Sequence, residues 1–395
     1  MIDSARGWAM VAATFSLLFL AFGAAYAFTA FFPSLEAEFQ ASRQDVALIF
    51  AISGFLYFIL GALSGTIADR IGTRPVVMFG VLCCGGGVIW GAFAESLMEA
   101  YLAFGLGIGV GIGFFYVPAI GAVQRWFTVR RAMAAGFAAA GIGAGTMLMP
   151  GIAKLLIAEP GGWRYAYGTI GICVLVLGFI VALRIDDPPS HSSARRAGTG
   201  LQGASVGQAL PSRGFILLYL SSLMLSLGLF VPFVHLEPYA IDKGLGEGTG
   251  VFLLMLIGVG STLGRFVLAS LADKIGRRNA LALMYAGVGL MDLVWYWGGS
   301  IHVLYGFAVV YGLCYGGFVG TAPAVCADYF GVKKLSSIIG WLYTSVAFGT
   351  LLGPPLAGRA FDLYQSYDLP ILIGAASGLT AAVLVMLMGP PRRWA

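Results

Sequence analysis

Arg265 is the residue in this sequence most in need of a partner. It stands about 16 residues into an apolar run and eight before Asp273, which ends it. A guanidinium that deep in a membrane-length run cannot extend to water, and central placement costs on the order of 2.5–3.5 kcal/mol, so it is expected to face a watery cavity and meet an anion. No acid lies one helical turn away to neutralise it. Positions 261, 262, 268 and 269 are Ser261, Thr262, Leu268 and Ala269. A carboxylate arriving as a ligand matches the guanidinium fork better than it matches a lysine. The alternative is a permanent ion pair with Asp292, the deep acid in the following run.

Other polar groups fall where they could line the same cavity. Tyr116, in Gly113-Phe114-Phe115-Tyr116-Val117-Pro118, sits beside a proline break, and its hydroxyl could donate to a carboxylate. Tyr311, Tyr315 and Tyr343 are similar candidates, the alternative in each case being a packed or lipid-facing aromatic. Ser261 either bonds a ligand oxygen or is a small helix-packing residue. His235, in Pro232-Phe233-Val234-His235-Leu236-Glu237-Pro238, is one of three histidines. It is either a proton carrier or a side chain bonded to carbonyls that the flanking prolines free. Glu237 is expected at the rim, and Asp292, near Trp295 and Trp297, in a structural role. No Ser/His/Asp or Cys/His set, nucleotide loop or metal spacing accompanies these residues, so neither an enzyme nor a bound cofactor or metal is expected. Gly107-Ile108-Gly109-Val110-Gly111-Ile112-Gly113 lacks a preceding strand and reads as a helix-packing stripe. The five cysteines lie in apolar stretches and read as small buried hydrophobes.

The elements that hold these groups follow from composition. Of 395 residues, 59% are hydrophobic and 10% charged. A soluble domain carries about a quarter charged residues, so a soluble enzyme and a disordered chain are both excluded. The net charge of +5 is spread over short loops, which argues against a nucleic-acid partner. A bilayer span needs about 20 apolar residues, and twelve such runs are present. They lie near 7–32, 46–68, 75–94, 98–126, 131–157, 163–185, 213–240, 249–272, 279–298, 302–328, 335–359 and 369–388. The first reads as a membrane helix and not a cleavable leader. Seventeen of the 23 Lys and Arg fall on one side and five, Arg43, Lys154, Arg164, Lys243 and Arg359, on the other. The positive-inside rule then places both termini in the cytoplasm. Residues 186–212, opening Asp186-Asp187-Pro188-Pro189-Ser190, read as a linker between an N-terminal bundle, 1–185, and a C-terminal bundle, 213–395. The expected fold is all-α: a polytopic membrane protein of twelve helices in two pseudo-symmetric six-helix bundles.

An internal repeat supports that division. Gly65-Thr66-Ile67-Ala68-Asp69-Arg70-Ile71-Gly72-Thr73-Arg74 follows the second span, and Ala269-Ser270-Leu271-Ala272-Asp273-Lys274-Ile275-Gly276-Arg277-Arg278 follows the eighth, 204 residues later. Gly145-Thr146-Met147-Leu148-Met149-Pro150 and Gly349-Thr350-Leu351-Leu352-Gly353-Pro354 repeat at the same offset. The first pair resembles the signature loop of the major facilitator superfamily. In that reading Asp69, Arg70, Arg74, Asp273, Lys274, Arg277 and Arg278 form charge latches that gate alternating access without touching the cargo; the alternative is a solvated turn.

A second stretch, Trp126-Phe127-Thr128-Val129-Arg130-Arg131-Ala132-Met133-Ala134-Ala135-Gly136 through Gly145, resembles the fifth-helix signature of the monocarboxylate transporter family, with Trp126 and Met133 departing from it. Arg6-Gly7-Trp8 meets the family's first-helix signature in part. Bacterial oxalate/formate exchangers share much of this pattern. The resemblance implies an arginine anchor at Arg265 and a pocket tyrosine at Tyr116. Many family members carry an acid four residues before the arginine, where this chain has Ser261. The oxalate exchangers place a lysine in the eleventh helix where this chain has Val346, after Leu342-Tyr343-Thr344-Ser345. One buried cation balances one carboxylate. The expectation is therefore a secondary transporter of small monocarboxylates such as lactate or pyruvate, by proton symport, in a bacterial inner membrane and as a single chain, with oxalate/formate-type exchange as the alternative.

Overall fold

The structure, a computed structural model, describes residues 5–127, 131–188, 203–331 and 334–391. Among these residues the chain is helical with no strand, apart from an isolated antiparallel bridge between Gly203 and Gly331. The first span is two helices, α1 (Ala5–Tyr26) and α2 (Phe28–Phe39). The second and third are α3 (Arg43–Ile71) and α4 (Thr73–Gly91). The fourth opens with α5 (Leu97–Ala100) and a π-helical turn, Tyr101–Leu106, before α6 (Gly107–Trp126). α7 (Arg131–Ile157) and α8 (Gly162–Ala182) complete the first six. After the short α9 (Val206–Ala209), the seventh span is again split, into α10 (Arg213–Leu229) and α11 (Val231–Asp242). α12 (Thr249–Ile275), α13 (Arg277–Tyr296), α14 (Ile301–Phe330), α15 (Leu335–Tyr364) and α16 (Asp368–Met386) follow.

Ten of the twelve expected spans coincide with helices long and apolar enough to cross a membrane. The other two are α13 and α15, of 20 and 30 residues, which have the length but are diluted by Arg277, Arg278, Asn279 and Asp292 in one and by Ser337, Thr344, Ser345 and Thr350 in the other.

The helix boundaries have local causes. Ser42, Ser96, Ser212 and Ser300 each cap a helix by accepting from the backbone N–H three residues on. Gly72 and Gly276, with φ of +97° and +87°, make the sharp turns between spans 2 and 3 and between spans 8 and 9, 204 residues apart. The seventh span breaks at Phe230 because Pro232 has no N–H and its ring opposes the carbonyl four residues back. The first span breaks at Ala27, within one residue of the same repeat spacing. Paired interruptions at corresponding positions of a repeat are where a midplane site is expected.

The main seams joining the first six spans to the last six are α3 on α15, α7 on α12, and α2 on α11. Within the last six, α12 and α14 approach through reciprocal glycines. A Cβ on Gly260 or Gly264 would lie 2.1 or 2.0 Å from a carbonyl oxygen of α14, and one on Gly312 or Gly316 would lie 2.1 or 2.0 Å from one of α12. That contact fixes the register of Arg265 against Tyr315.

Candidate functional site

Arg265 projects from α12 with 5% of its surface exposed. Its Nη1 donates to the backbone carbonyl of Ala139 in α7, so the side chain crosses the seam between the two sets of spans. Among the described residues its Nε and Nη2 find no acceptor. These two N–H groups share one edge of the planar guanidinium and point the same way, the geometry that receives both oxygens of a carboxylate. Asp292 does not pair with it. That acid is 2% exposed on α13, its Oδ2 has no partner among the described residues, and it lies against Gly374 of α16.

Four phenols surround the guanidinium closely enough to act on it electrostatically: Tyr315, Tyr116, Tyr26 and Tyr343. Their helices, α14, α6, α1 and α15, come from both sets of spans. The Tyr26 and Tyr315 hydroxyls are 3.1 Å apart, and the Tyr26 ring packs 4.9 Å from Phe233, just past the break in the seventh span. Phe22 edges against Tyr26, Tyr57 and Tyr116 at 5.4 to 5.7 Å, and Phe58 against Tyr343 at 5.9 Å. Three buried hydroxyls among the described residues also lack partners, those of Thr14, Tyr57 and Ser261, the last one turn before Arg265. The result is a buried aromatic chamber whose polar groups are one guanidinium edge and a few hydroxyls, the chemistry that recognises the carboxylate of a small acid.

The structure thus brings Arg265, Ser261, Tyr116, Tyr315 and Tyr343 together. His235 lies elsewhere. Its Nε2 donates to the Pro354 carbonyl at 2.9 Å, and its Nδ1 is 3.0 Å from the Tyr367 hydroxyl. That hydroxyl also accepts from Arg43 Nη1 at 3.0 Å, so its own proton goes to Nδ1, which fixes a neutral imidazole with its proton on Nε2. Burial pushes the Tyr367 phenol above its ordinary range, although Arg43 pulls the other way, so it keeps the proton it donates. Glu237, expected at the rim, is fully buried instead. It accepts from the backbone N–H of Gly248 and Val251 at the start of α12, and Lys154 of α7 stands 3.6 Å away.

Sequence reasoning missed the centre of this second cluster, Arg43. Its Nη1 and Nη2 grip the Asp242 carboxylate, its Nε reaches Glu36 at 3.1 Å, and its guanidinium lies 3.8 Å over the Phe361 ring. Asp362 of α15 accepts the first two backbone N–H groups of α3, from Arg43 and Gln44, at 3.1 Å each. Among the described residues the ion pairs joining the first six spans to the last six are Arg43–Asp242, Lys154–Glu237 and Lys154–Glu247, all on one face. On the opposite, more basic face the ion pairs among the described residues include Arg74–Asp186 at 3.1 Å, Arg125–Asp187 at 3.0 Å and Arg277–Asp328 at 2.8 Å, each within one set. Arg278 reaches Asn279, and Arg70 and Lys274 are exposed. The side chains of Asp69 and Asp273 lie outside the described ones. Tyr26 and Tyr57 were also missed, being aromatic residues in apolar runs with nothing in the spacing to mark them.

Comparisons with known proteins agree with this architecture. The family model described as Major Facilitator Superfamily matches residues 14–303 and 252–394. Among curated relatives, Monocarboxylate transporter 11 of Homo sapiens is 31% identical, over 99% of this chain and 84% of its own length. Monocarboxylate transporter 4 of Gallus gallus is 29% identical over 98% and 83%, and Monocarboxylate transporter 3 of Rattus norvegicus 28% over 97% and 80%.

Proposed function

Because the chain belongs to the major facilitator superfamily and, within it, to the monocarboxylate transporter family, we propose that it carries small monocarboxylates of the lactate or pyruvate kind, anchored at Arg265. The observation that carries this reading is the free edge of the guanidinium, Nε and Nη2, in a chamber whose other polar groups are hydroxyls. Arg265 is the one cation described among these phenols, and Val346 stands where the resemblance to oxalate exchangers would put a second, which favours one carboxylate over two.

The spans 1–185 and 213–395 act as two halves that rock about the central site, and a single chain suffices for the cycle. The face that Arg43 closes is the outer one and the basic face the inner one, by the distribution of Lys and Arg. A proton accompanies the anion inward. A lone negative charge moving in is opposed by about 2.3 kcal/mol per 100 mV, and a proton cancels that term.

Thermal-shift measurements with lactate and pyruvate on wild type and Arg265→Gln test the anchor. Stabilisation by the same acid in both proteins would place binding elsewhere. Uptake of labelled lactate into proteoliposomes under an imposed pH gradient tests the coupling. Indifference to the gradient removes symport, and uptake only after preloading with a counter-substrate replaces it with exchange.

A further inference from the structure

On the basic face, between α1 and α8, a cleft of about 550 Å³ is lined by Arg6, Arg74 and Arg184 at one end and by Ala9, Ala12, Ile180 and Leu183 along its length. That volume falls in the range of small-molecule sites, roughly 300–1,000 Å³. The charge at its mouth is uneven. Arg74 is paired with Asp186 at 3.1 Å, whereas Arg6 and Arg184 have no carboxylate partner among the described residues. Arg6 is held over the Trp126 ring at 5.8 Å, and the Trp126 indole N–H donates to the Asp186 carbonyl at 2.9 Å, so the mouth is built and not a loose surface.

The apolar wall faces outward. Ile180 is 54% and Leu183 47% exposed, and Ala9 and Ala12 are exposed beside them, on the outer side of two helices long and apolar enough to span a membrane. From Arg6 at the mouth to Ser16 at the far end the cleft climbs ten residues of helix, about 15 Å at 1.5 Å per residue. That is half of a bilayer core of about 30 Å, the depth of one leaflet. A soluble anion has no use for such a wall, and a zwitterionic headgroup does not answer two guanidinium groups that have no carboxylate partner among the described residues.

We propose that this cleft binds an anionic phospholipid of the leaflet on the basic face, its phosphate between Arg6 and Arg184 and one acyl chain along Ala9, Ala12, Ile180 and Leu183. Basic pockets between membrane helices suit such headgroups. The site is independent of the cargo reading, because it lies on the outer wall of α1 and α8 and shares no residue with the Arg265 chamber.

Native mass spectrometry of the detergent-purified protein, titrated with phosphatidylglycerol or phosphatidylcholine, tests it. Wild type is expected to retain phosphatidylglycerol on the order of tenfold more than phosphatidylcholine, from two cations near the anionic group. Arg6→Gln/Arg184→Gln loses that preference, while Arg6→Lys/Arg184→Lys and the exposed control Lys274→Gln keep it. Gel filtration and melting temperature establish that the glutamine variant is folded, and the lysine variant reads the charge requirement independently. Equal retention of the two lipids by wild type, an unchanged preference in the glutamine variant, or an equal loss in Lys274→Gln overturns the proposal. Displacement of phosphatidylglycerol by excess soluble glycerol phosphate also overturns it, since the ligand would then be a free phosphate and not a lipid.

Discussion

The Arg43 guanidinium, at the first turn of α3, lies bidentate on the Asp242 carboxylate at the end of α11, so spans 2 and 7 are clasped at one face of the molecule. The pair is partly exposed, with 11% and 31% of the two side chains accessible, which places its worth at about 1–2 kcal/mol. Asp242→Asn keeps the shape and removes the charge. It is expected to shift the population away from the closed arrangement by roughly tenfold. Electron-spin distance measurements between labels at Ala158 and Tyr364 read this as growth of the longer separation; an unchanged distribution would show that the clasp does not hold the two sets of spans.

Arg265→Lys separates charge from geometry. Lysine retains the cation but loses the paired N–H edge, so affinity for lactate should fall about tenfold, and Arg265→Gln should lose about a hundredfold. Binding isotherms on purified protein check both. Equal affinity in wild type and the lysine variant would mean that the fork is not used.

The α12–α14 contact predicts a position-specific intolerance. Gly316→Ala puts a methyl 2.0 Å from the Ser261 carbonyl, whereas Gly320→Ala, one turn further along the same helix, meets nothing within 4 Å. The first variant should give little monodisperse protein on gel filtration and the second should behave as wild type.

Glu237 satisfies two backbone donors at the start of α12 while fully buried. Glu237→Gln leaves at most one of those bonds well made and should cost about 1–3 kcal/mol, read as a lowered melting temperature. Lys154→Ala removes a cation that is 36% exposed and 3.6 Å away, and should cost much less. A reversal of that order would make the ion pair, and not the helix cap, the main contribution.

Tyr367 gives a pH test with a definite sign. A group whose pKa is raised on folding contributes in full below its unfolded value, about 10 for tyrosine, and loses the contribution as pH climbs through the raised one. Burial raises the Tyr367 phenol. The bonds to His235 and Arg43 should therefore persist through pH 10, and the melting temperature of wild type minus that of Tyr367→Phe should stay constant from neutrality to that pH. A fall in the difference near pH 10 would show a phenol that titrates normally.

Much of the fold was legible because apolar length is a one-dimensional signal, and the repeat at 204 residues marked corresponding turns that the structure builds with Gly72 and Gly276. Arg265 was legible for an energetic reason: a charge in the middle of a span has to be explained by something. The outer cluster was not. Arg43 looked like one of five loop cations, and its partners Asp242 and Tyr367 are 199 and 324 residues away. His235 drew attention through its own chemistry, but its environment is set by Tyr367 and Pro354, 132 and 119 residues distant. Glu237 was misjudged because the glycine turn that brings the α12 N-terminus over it leaves no mark in a hydropathy pattern.

The Ala139 carbonyl gives the anchor a second duty. While Arg265 Nη1 rests on it, cargo anchor and seam are one fastening, so the two walls cannot part at this depth without stripping a cation of its only acceptor among the described residues. On the proposed reading, an arriving carboxylate supplies a replacement before that happens. A loaded carrier would then reopen at lower cost than an empty one, and the toll on returning without cargo would be written into a single main-chain oxygen.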